Sequence, residues 1–243
     1  MHTVNALVAR TRRFIETSRL STTARAVRHE RLTYLSPKKL RRLETALGQV
    51  MRPNVPGDIA EFGIALGGSG IILAEQAVRH GRSFHGFDVF GMIPPPTSEK
   101  DDQKSKTRYE KIAAGESTGL GGDVYYGYRD NLYEDVKRSF ERHGLAVDGS
   151  GVSLHKGLFE ETLPGVSMER ISFAHIDCDW YDPVHYCLKK VAERLSPGGV
   201  IVIDDYHDYG GSRTATDEFL QARPDFRFED GENVILRRAA ANA

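Results

Sequence analysis

The chain has 243 residues and a mass of 27.1 kDa, with a formal net charge of −1. Hydrophobic residues make up 40% of it and charged residues 28%, which is typical of a globular protein that folds without a metal or disulfides. The near-neutral charge excludes a generally basic nucleic-acid coat. No apolar run approaches the roughly 20 residues that a membrane-spanning helix needs.

The two cysteines, Cys178 and Cys187, are too few for a disulfide framework, and we expect both thiols to be reduced. Residues 1–20 contain no apolar core of the kind found in a secretory signal. Their Arg-rich character also fits a transit peptide, but the apolar stripe continues into the rest of the chain, which argues against that interpretation. Together these observations predict a cytoplasmic protein with no membrane or nucleic-acid partner.

Basic residues are concentrated at the start of the chain. Residues 1–52 carry twelve Lys or Arg residues and three acids, a net charge of +9, whereas the rest of the chain carries a net charge of −10. Apolar residues repeat at helical spacing and predict three helices, at about 3–18, 21–32 and 37–51. We therefore predict an N-terminal helical segment, residues 1–53, that forms a lid over a site or a homo-oligomer contact. A solvated basic segment without a role is the alternative.

From residue 54 onwards, strand-like apolar segments alternate with amphipathic helical ones. The predicted strands lie at Asp58–Gly63, Ser83–Asp88, Val152–His155, Ile171–Asp177 and Val200–Asp205, with two more at about 225–229 and 233–237. The predicted helices lie at about 68–80, 131–143, 183–195 and 212–222. Several strands are apolar on both faces, as in a buried parallel sheet, and the last two are close enough for an antiparallel hairpin. This order predicts a doubly wound α/β domain, residues 54–243, with a mostly parallel seven-stranded sheet.

Residues 91–130 do not fit this alternation. They contain three consecutive prolines from Pro94, a charged run and a Gly-rich stretch, with a short helix predicted at about 107–114. A connection of this length without a clear strand is unusual in a compact domain. We expect an active-site lid here, and a disordered surface insertion is the alternative.

A glycine-rich turn follows the first predicted strand, in the sequence EFGIALGGSG that begins at Glu61. The spacing of its glycines fits neither the dinucleotide pattern GxGxxG nor a P-loop, which also needs a Lys. The pattern ExGxxxG suits the S-adenosylmethionine loop of class I methyltransferases. Asp88, at the end of the second strand, is placed to bind both ribose hydroxyls of an adenosine. A tight turn without a ligand is the alternative.

Carboxylates follow two neighbouring predicted strands. Asp177 ends the fourth predicted strand and Asp179 and Asp182 follow it, while Asp204 and Asp205 end the fifth. Acids that meet at one edge of a sheet repel one another unless a cation neutralises them. Oxygen ligands without a Cys or His cluster favour Mg²⁺. The alternative is that these are solvated loop acids, with Asp182 capping the helix that follows it.

Longer segments resemble the macrocin O-methyltransferase family, whose members are Mg²⁺-dependent sugar O-methyltransferases of antibiotic biosynthesis. The resemblance covers about residues 57–222, and one departure is Tyr209, where the family usually has Trp. The segments that carry it are AEFGIALGGSG from Ala60, GFDVFGMIPPP from Gly86, HKGLFEETLP from His155, IDCDWYDP from Ile176 and LSPGGVIVIDDYHDYGGSRTATDEF from Leu195.

The resemblance implies a role for each matching residue. Asp177, Asp204 and Asp205 would hold Mg²⁺, and Asp179 would be the general base. The acceptor would be a hydroxyl of a deoxysugar, on a natural-product glycoside or a nucleotide sugar. S-adenosylmethionine would be bound by Glu61, Gly63, Gly67, Ser69, Asp88 and Phe159.

Two other functions stay open on the sequence alone. The pair Asp177 and Asp179 resembles the nucleophile and acid of an Mg²⁺-dependent aspartyl phosphatase. In those enzymes, however, the pair normally follows the first strand of the domain and precedes a small residue, whereas here Trp180 follows it. The second alternative is a non-catalytic binding module that keeps only the fold, against which the intact set of acids argues.

Overall fold

The computed structural model describes residues 16–240, so most of the helix predicted at 3–18 lies outside the described range. The described strands are β1 Asp58–Phe62, β2 Phe84–Asp88, β3 Val152–Lys156, β4 Ile171–Ile176, β5 Leu195–Ile203, β6 Phe226–Glu229 and β7 Val234–Arg238. The described α-helices are α1 Thr22–His29, α2 Pro37–Met51, α3 Gly68–Arg79, α4 Gln103–Ala113, α5 Leu132–Arg142, α6 Phe159–Thr162, α7 Tyr181–Arg194 and α8 Gly210–Ala222. None of them is long and apolar enough to cross a membrane.

All seven strands belong to one sheet, in the order β3-β2-β1-β4-β5-β7-β6. Strands β1 to β5 run parallel, and β7 lies antiparallel to both β5 and β6. The strand order reverses between β1 and β4, and ligands bind in open α/β sheets at such a switch point. The predicted fold class, a doubly wound and mostly parallel sheet, is therefore confirmed.

Several element boundaries differ from the prediction by a few residues, and two of these differences have a structural cause. Strand β5 begins at Leu195 rather than Val200, because a bulge in its pairing with β4 separates these two residues and interrupts the apolar pattern. Helix α7 begins at Tyr181, so the prediction that Asp182 is its N-cap is wrong. The Asp182 carboxylate lies in the first turn instead, where it accepts a hydrogen bond from Thr97 at 2.9 Å.

A separate hydrophobic layer covers each face of the sheet. Helices α1, α2, α3 and α5 contribute to the layer on one face, and α7 and α8 contribute to the other. Between β1 and β2, the rings of Phe62 and Phe87 stack with their centroids 5.0 Å apart. Both cysteines are free thiols, and Cys187 is buried in the second layer.

Helix α2 has the bounds predicted for it and is fixed to the sheet at its first turns. Ser36 caps the helix by accepting a hydrogen bond from the Lys39 amide at 3.2 Å. Leu40 and Leu43 are fully buried. The Arg42 guanidinium donates to the backbone carbonyl of Asn233, at 2.7 Å, in the turn between β6 and β7. This part of the N-terminal segment is therefore packed on the sheet rather than solvated.

The insertion at 91–130 is attached to the first turns of α7 and α8. The Asp101 carboxylate accepts a hydrogen bond from the Tyr181 amide at 2.8 Å, and the Asp102 carboxylate accepts one from the Gly210 amide at 2.9 Å. These carboxylates satisfy backbone donors that a helix start otherwise leaves unpaired. The insertion thus forms an ordered cover beside the carboxyl ends of the strands, and it contains one helix, α4.

Two histidines, on the edge strand β3 and on its neighbour β2, form a contact that depends on their being neutral. Nδ1 of His85 lies 3.2 Å from Nε2 of His155, and the two rings stack. Burial lowers the pKa of His85, although Asp58 opposes this effect. Burial, together with His85, lowers the pKa of His155 to about 4. Folding therefore favours the neutral form of both imidazoles.

We predict that this pair makes the protein acid-sensitive. Because both folded-state pKa values lie below the unfolded value of about 6.5, the stabilisation is complete above pH 6.5 and is lost as the pH falls towards 4. Urea unfolding at a series of pH values should show that acid lowers the free energy of unfolding less in His155→Gln than in the wild type. His80→Gln, at an exposed histidine, serves as the control and should follow the wild type. Equal pH slopes in all three proteins would contradict the prediction.

Candidate active site

Two neighbouring cavities open at the carboxyl ends of the parallel strands. The apolar cavity, of about 410 Å³, lies between the ends of β1 and β2, helix α6 and the start of α7. The acidic cavity, of about 510 Å³, lies between the same strand ends, helix α4 and the start of α2. Both cavities are lined by Gly63, Asp88, Tyr126, Asp177 and Asp179. These shared residues form the boundary between the two spaces.

Gly63 allows the ends of β1 and β4 to approach each other closely. It has a φ of +95°, in the region that favours glycine. A Cβ atom at this position would collide with the backbone carbonyl of Asp177. A larger residue would therefore displace both the turn after β1 and the first acid after β4.

Asp88 holds the turn after β1 in place and also faces both cavities. Its carboxylate accepts hydrogen bonds from the backbone amides of Ile64 at 2.7 Å, Ala65 at 2.9 Å and Phe90 at 2.6 Å. Burial raises the pKa of Asp88, and the three amides partly oppose the rise. A carboxylate has about four acceptor sites, so Asp88 retains capacity to bind a ligand hydroxyl.

The residues predicted to bind the cofactor separate into two groups. Gly63, Asp88 and Phe159 line the apolar cavity. The other three line neither cavity and lie in the elements on either side of the turn between β1 and α3. They are Glu61, which is buried in β1, Gly67, which caps α3, and Ser69, which is buried in the first turn of α3.

A chain of alternating charges runs beneath the site, through Glu61, His175, Asp204 and Lys39. Oε1 of Glu61 lies 2.7 Å from Nδ1 of His175, and Nε2 of His175 lies 4.0 Å from Oδ1 of Asp204. The Lys39 ammonium lies 2.8 Å from Oδ2 of Asp204 and 2.9 Å from the carboxylate of Asp208. We call Glu61, His175, Asp204 and Lys39 the buried charge chain.

Opposite charges shift the pKa values of the two internal members of the buried charge chain, His175 and Asp204. Burial alone would lower the pKa of His175, but Asp204 and Glu61 raise it to about 10. Burial alone would raise the pKa of Asp204, but the His175 imidazolium and the Lys39 ammonium lower it. Each internal charge thus has an opposite charge on both sides, which reduces the cost of burying it.

Three further carboxylates form a cluster at the boundary of the two cavities. One oxygen from each of Asp177, Asp179 and Asp205 lies within 4.8 Å of the others, a spacing compatible with a shared metal ion. Burial and the neighbouring acids raise the pKa of Asp177 to about 8 and that of Asp205 well above its usual value. Burial raises the pKa of Asp179 to about 6, although Asp205 and Arg108 oppose the rise. The cluster therefore favours either protons or a cation.

The structure brings together a different trio from the one expected to bind metal. Asp177 and Asp205 belong to both sets, but Asp179 takes the place of Asp204 in the cluster. Oδ2 of Asp204 is bound by Lys39, while Oδ1 is buried without a hydrogen-bond partner. Asp204 therefore lies beside the cluster with one oxygen available.

Asp179 is held in an uncommon backbone conformation. Its φ of +60° is unfavourable for a residue with a side chain, and the Trp180 amide donates to the Cys178 carbonyl across it at 2.7 Å. Strained residues of this kind are concentrated at functional sites. The turn places Asp179 in the lining of both cavities.

The sequence did not reveal the cations that face the acids. Lys39, Lys104 and Arg108 all line the acidic cavity. Lys104 and Arg108 lie four residues apart on α4, so they share one face of that helix. The four-residue spacing shows that the two cations share a face of α4, but it does not show that this face is turned towards the acids.

Comparisons with known proteins identify the family of the chain. The family model described as Macrocin-O-methyltransferase (TylF) matches residues 2–225. The chain belongs to the macrocin-O-methyltransferase family. The 8-demethyl-8-(2,3-dimethoxy-alpha-L-rhamnosyl)-tetracenomycin-C 4'-O-methyltransferase of Streptomyces olivaceus is 29% identical over 87% of this chain and 77% of its own. The mycinamicin III 3''-O-methyltransferase of Micromonospora griseorubida is 28% identical over 86% of this chain and 79% of its own.

The fold of this family member matches that of solved methyltransferases. The structure of the O-methyltransferase NovP superposes with a TM-score of 0.70 and 23% identity, over 86% of this chain and 82% of that one. The doubly wound sheet is therefore the Rossmann-like sheet of class I methyltransferases.

We predict that Glu61 is required mainly for folding. Glu61→Gln removes one partner of the pair with His175 and leaves the imidazolium buried, which typically costs roughly 3–5 kcal/mol. Urea unfolding should show this loss in the free energy of unfolding. Glu193→Gln, at an exposed pair with Lys190, is the control and should change it by no more than about 1 kcal/mol. Unchanged stability in Glu61→Gln would contradict the prediction.

Proposed function

We propose that the protein is a divalent-metal-dependent sugar O-methyltransferase that uses S-adenosylmethionine and acts in antibiotic biosynthesis. The observation that carries the proposal is the cluster of Asp177, Asp179 and Asp205 at the boundary of two cavities. One cavity suits the methyl donor and the other suits a polar acceptor. The O-methyltransferase family supports the reaction type, and relatives named for sugar-bearing antibiotics support the substrate class.

The apolar cavity fits S-adenosylmethionine. Gly63 lines this cavity at the end of β1, and Asp88 offers carboxylate oxygens for ribose hydroxyls. Leu158, Phe159 and Trp180 provide the apolar surface that an adenine ring and a sulfonium methyl group require. The cofactor supplies an electrophilic methyl group, and these residues hold it against the boundary with the acidic cavity.

The acid cluster fits a hard divalent cation such as Mg²⁺. Asp177 and Asp205 would hold the ion, and Asp204 would contribute the buried oxygen that has no hydrogen-bond partner. When bound, such an ion lowers the pKa of an alcohol and orients it. Burial and the neighbouring acids raise the pKa values of Asp177 and Asp205, and a bound cation would oppose both effects.

Asp179 is the residue best placed to accept the proton of the sugar hydroxyl. It faces both cavities, and its pKa of about 6 is close to the value that suits a general base near neutral pH. The tyrosines beside it are poor bases, because burial raises the pKa of Tyr125 to about 12 and that of Tyr126 well above its usual value. These phenols remain neutral and can donate hydrogen bonds to the acceptor.

The start of α2 and the residues before it support the predicted role of the N-terminal segment. Tyr34, Leu35, Ser36 and Lys39 line the acidic cavity, where they would contact the acceptor. A homo-oligomer contact through the same segment stays a prediction. Sedimentation of the protein with and without residues 1–32 tests it.

The aspartyl phosphatase alternative is not favoured. It would use the acids but would leave the apolar cavity at the ends of β1 and β2 without a function. The family match also assigns the chain to methyltransferases.

We predict that Asp179→Asn lowers kcat by about 10²–10⁴ because a general base is lost. The dissociation constant for S-adenosylmethionine should remain near the wild-type value, as should Mn²⁺ affinity measured by electron paramagnetic resonance. Asp205→Asn should instead weaken Mn²⁺ binding at least tenfold, and EDTA should abolish turnover of the wild type.

The matched control is Asp230→Asn, at an exposed acid that lines neither cavity. It should leave kcat and metal affinity unchanged. A wild-type kcat in Asp179→Asn would exclude Asp179 as the base, and loss of Mn²⁺ binding in that variant would make it a ligand. Full turnover in EDTA would refute the requirement for a metal.

A further inference from the structure

A third cavity, of about 730 Å³, adjoins the acidic cavity at the residues that precede α2. We call it the outer cavity. The two spaces share Tyr34, Leu35, Ser36 and Glu232, so one extended ligand can occupy both. The outer cavity is also lined by three cations, Arg28, Arg31 and Lys38, and by one further acid, Glu16.

Arg31 is held in this wall by an unusual local structure. Its φ of +59° lies in the left-handed region, which is uncommon for a residue with a side chain. Its guanidinium lies against Gly121 of the insertion, where a Cβ would come within 2.6 Å of Nη1. The absence of a side chain at Gly121 therefore creates the seat for this guanidinium.

Arg31 also differs from its neighbours in its bonding. Lys38 forms an ion pair with Glu232 at 3.0 Å, and Arg28 donates to the carbonyl of Leu35 at 2.8 Å. Within residues 16–240, no carboxylate or hydrogen-bond acceptor is paired with the Arg31 guanidinium. Arg31 is an exposed residue whose guanidinium lies against Gly121 in the wall of a cavity. A guanidinium without a partner in this position is suited to bind an anionic group of a ligand.

We propose that the outer cavity binds the diphosphate of a nucleotide-activated sugar, with Arg31 as its main contact. The proposal rests on the proposed function and specifies its acceptor. Acids line the acidic cavity near the strand ends, whereas Arg31 lies in the wall of the adjoining space. A sugar hydroxyl can therefore lie by the acid cluster while phosphates extend to the guanidinium, whose planar N–H groups match phosphate oxygens. A neutral glycoside would leave this guanidinium unpaired.

Binding of dTDP and UDP, measured by calorimetry, tests the proposal without turnover. EDTA is present so that a metal bridge to the acid cluster cannot contribute. Arg31→Gln should weaken binding about tenfold or more, since a hydrogen bond to a charged group is typically worth at least that factor. Arg31→Lys should retain part of the affinity because it keeps the charge. Arg25→Gln, on the exposed side of α1 and outside all three cavities, is the charge-matched control and should bind as the wild type does.

Two results would overturn the inference. The first is a calorimetric result: either Arg31→Gln binds each nucleotide as tightly as Arg25→Gln does, or the wild type binds neither nucleotide. The other is methyl transfer to a neutral glycoside, with kcat/KM unchanged by Arg31→Gln and no inhibition by either nucleotide. In the second case the proposed methyl transfer stands while the inference fails. If no sugar is methylated at all, the proposed function fails, and calorimetry still decides whether the outer cavity binds a diphosphate.

Discussion

The rest of the site depends on the buried charge chain. Glu61 and His175 are register partners on β1 and β4, and Asp204 directly follows β5, so three adjacent strands each contribute one charge. Lys39 adds the fourth charge from α2. Ionised groups in the interior are tolerated only when opposite charges satisfy them closely. The buried charge chain therefore attaches α2 at the strand ends through Lys39, and the acidic cavity, which Lys39 lines, depends on that position.

The same chain divides the carboxylates into two kinds. Asp204 has its charge balanced by the protein itself, and its pKa is lowered. Asp177 lines both cavities, and burial and the neighbouring Asp204 raise its pKa, although His175 opposes the rise. The pKa values of these two acids, at the ends of neighbouring strands, are thus shifted in opposite directions. The demand for an external cation is confined to the boundary between the two cavities, where a methyl donor and its acceptor would meet.

Sequence patterns predicted the sheet because a strand that is buried on both faces appears in the sequence as a short run of apolar residues. They also placed Asp177 and Asp205 together, since the ends of neighbouring parallel strands share one edge. They could not reveal the contact between Lys39 and Asp204, which lie 165 residues apart in the sequence. Glu61 illustrates a second limit. Its motif predicts a cofactor ligand, but strand register turns its side chain towards His175.

The charge asymmetry of the sequence has a structural explanation in the described part of the chain. The basic N-terminal segment is not a uniformly solvated surface, because Lys39 binds acids at the end of β5 and Arg42 binds the turn before β7. These two side chains attach α2 to the acidic end of the sheet. Once α2 is fixed there, the residues just before it lie between the acidic cavity and the outer cavity, and Arg31 lines the outer one. One set of basic residues thus stabilises the fold, and the connection it positions carries Arg31, the cation that we propose as the contact for a diphosphate.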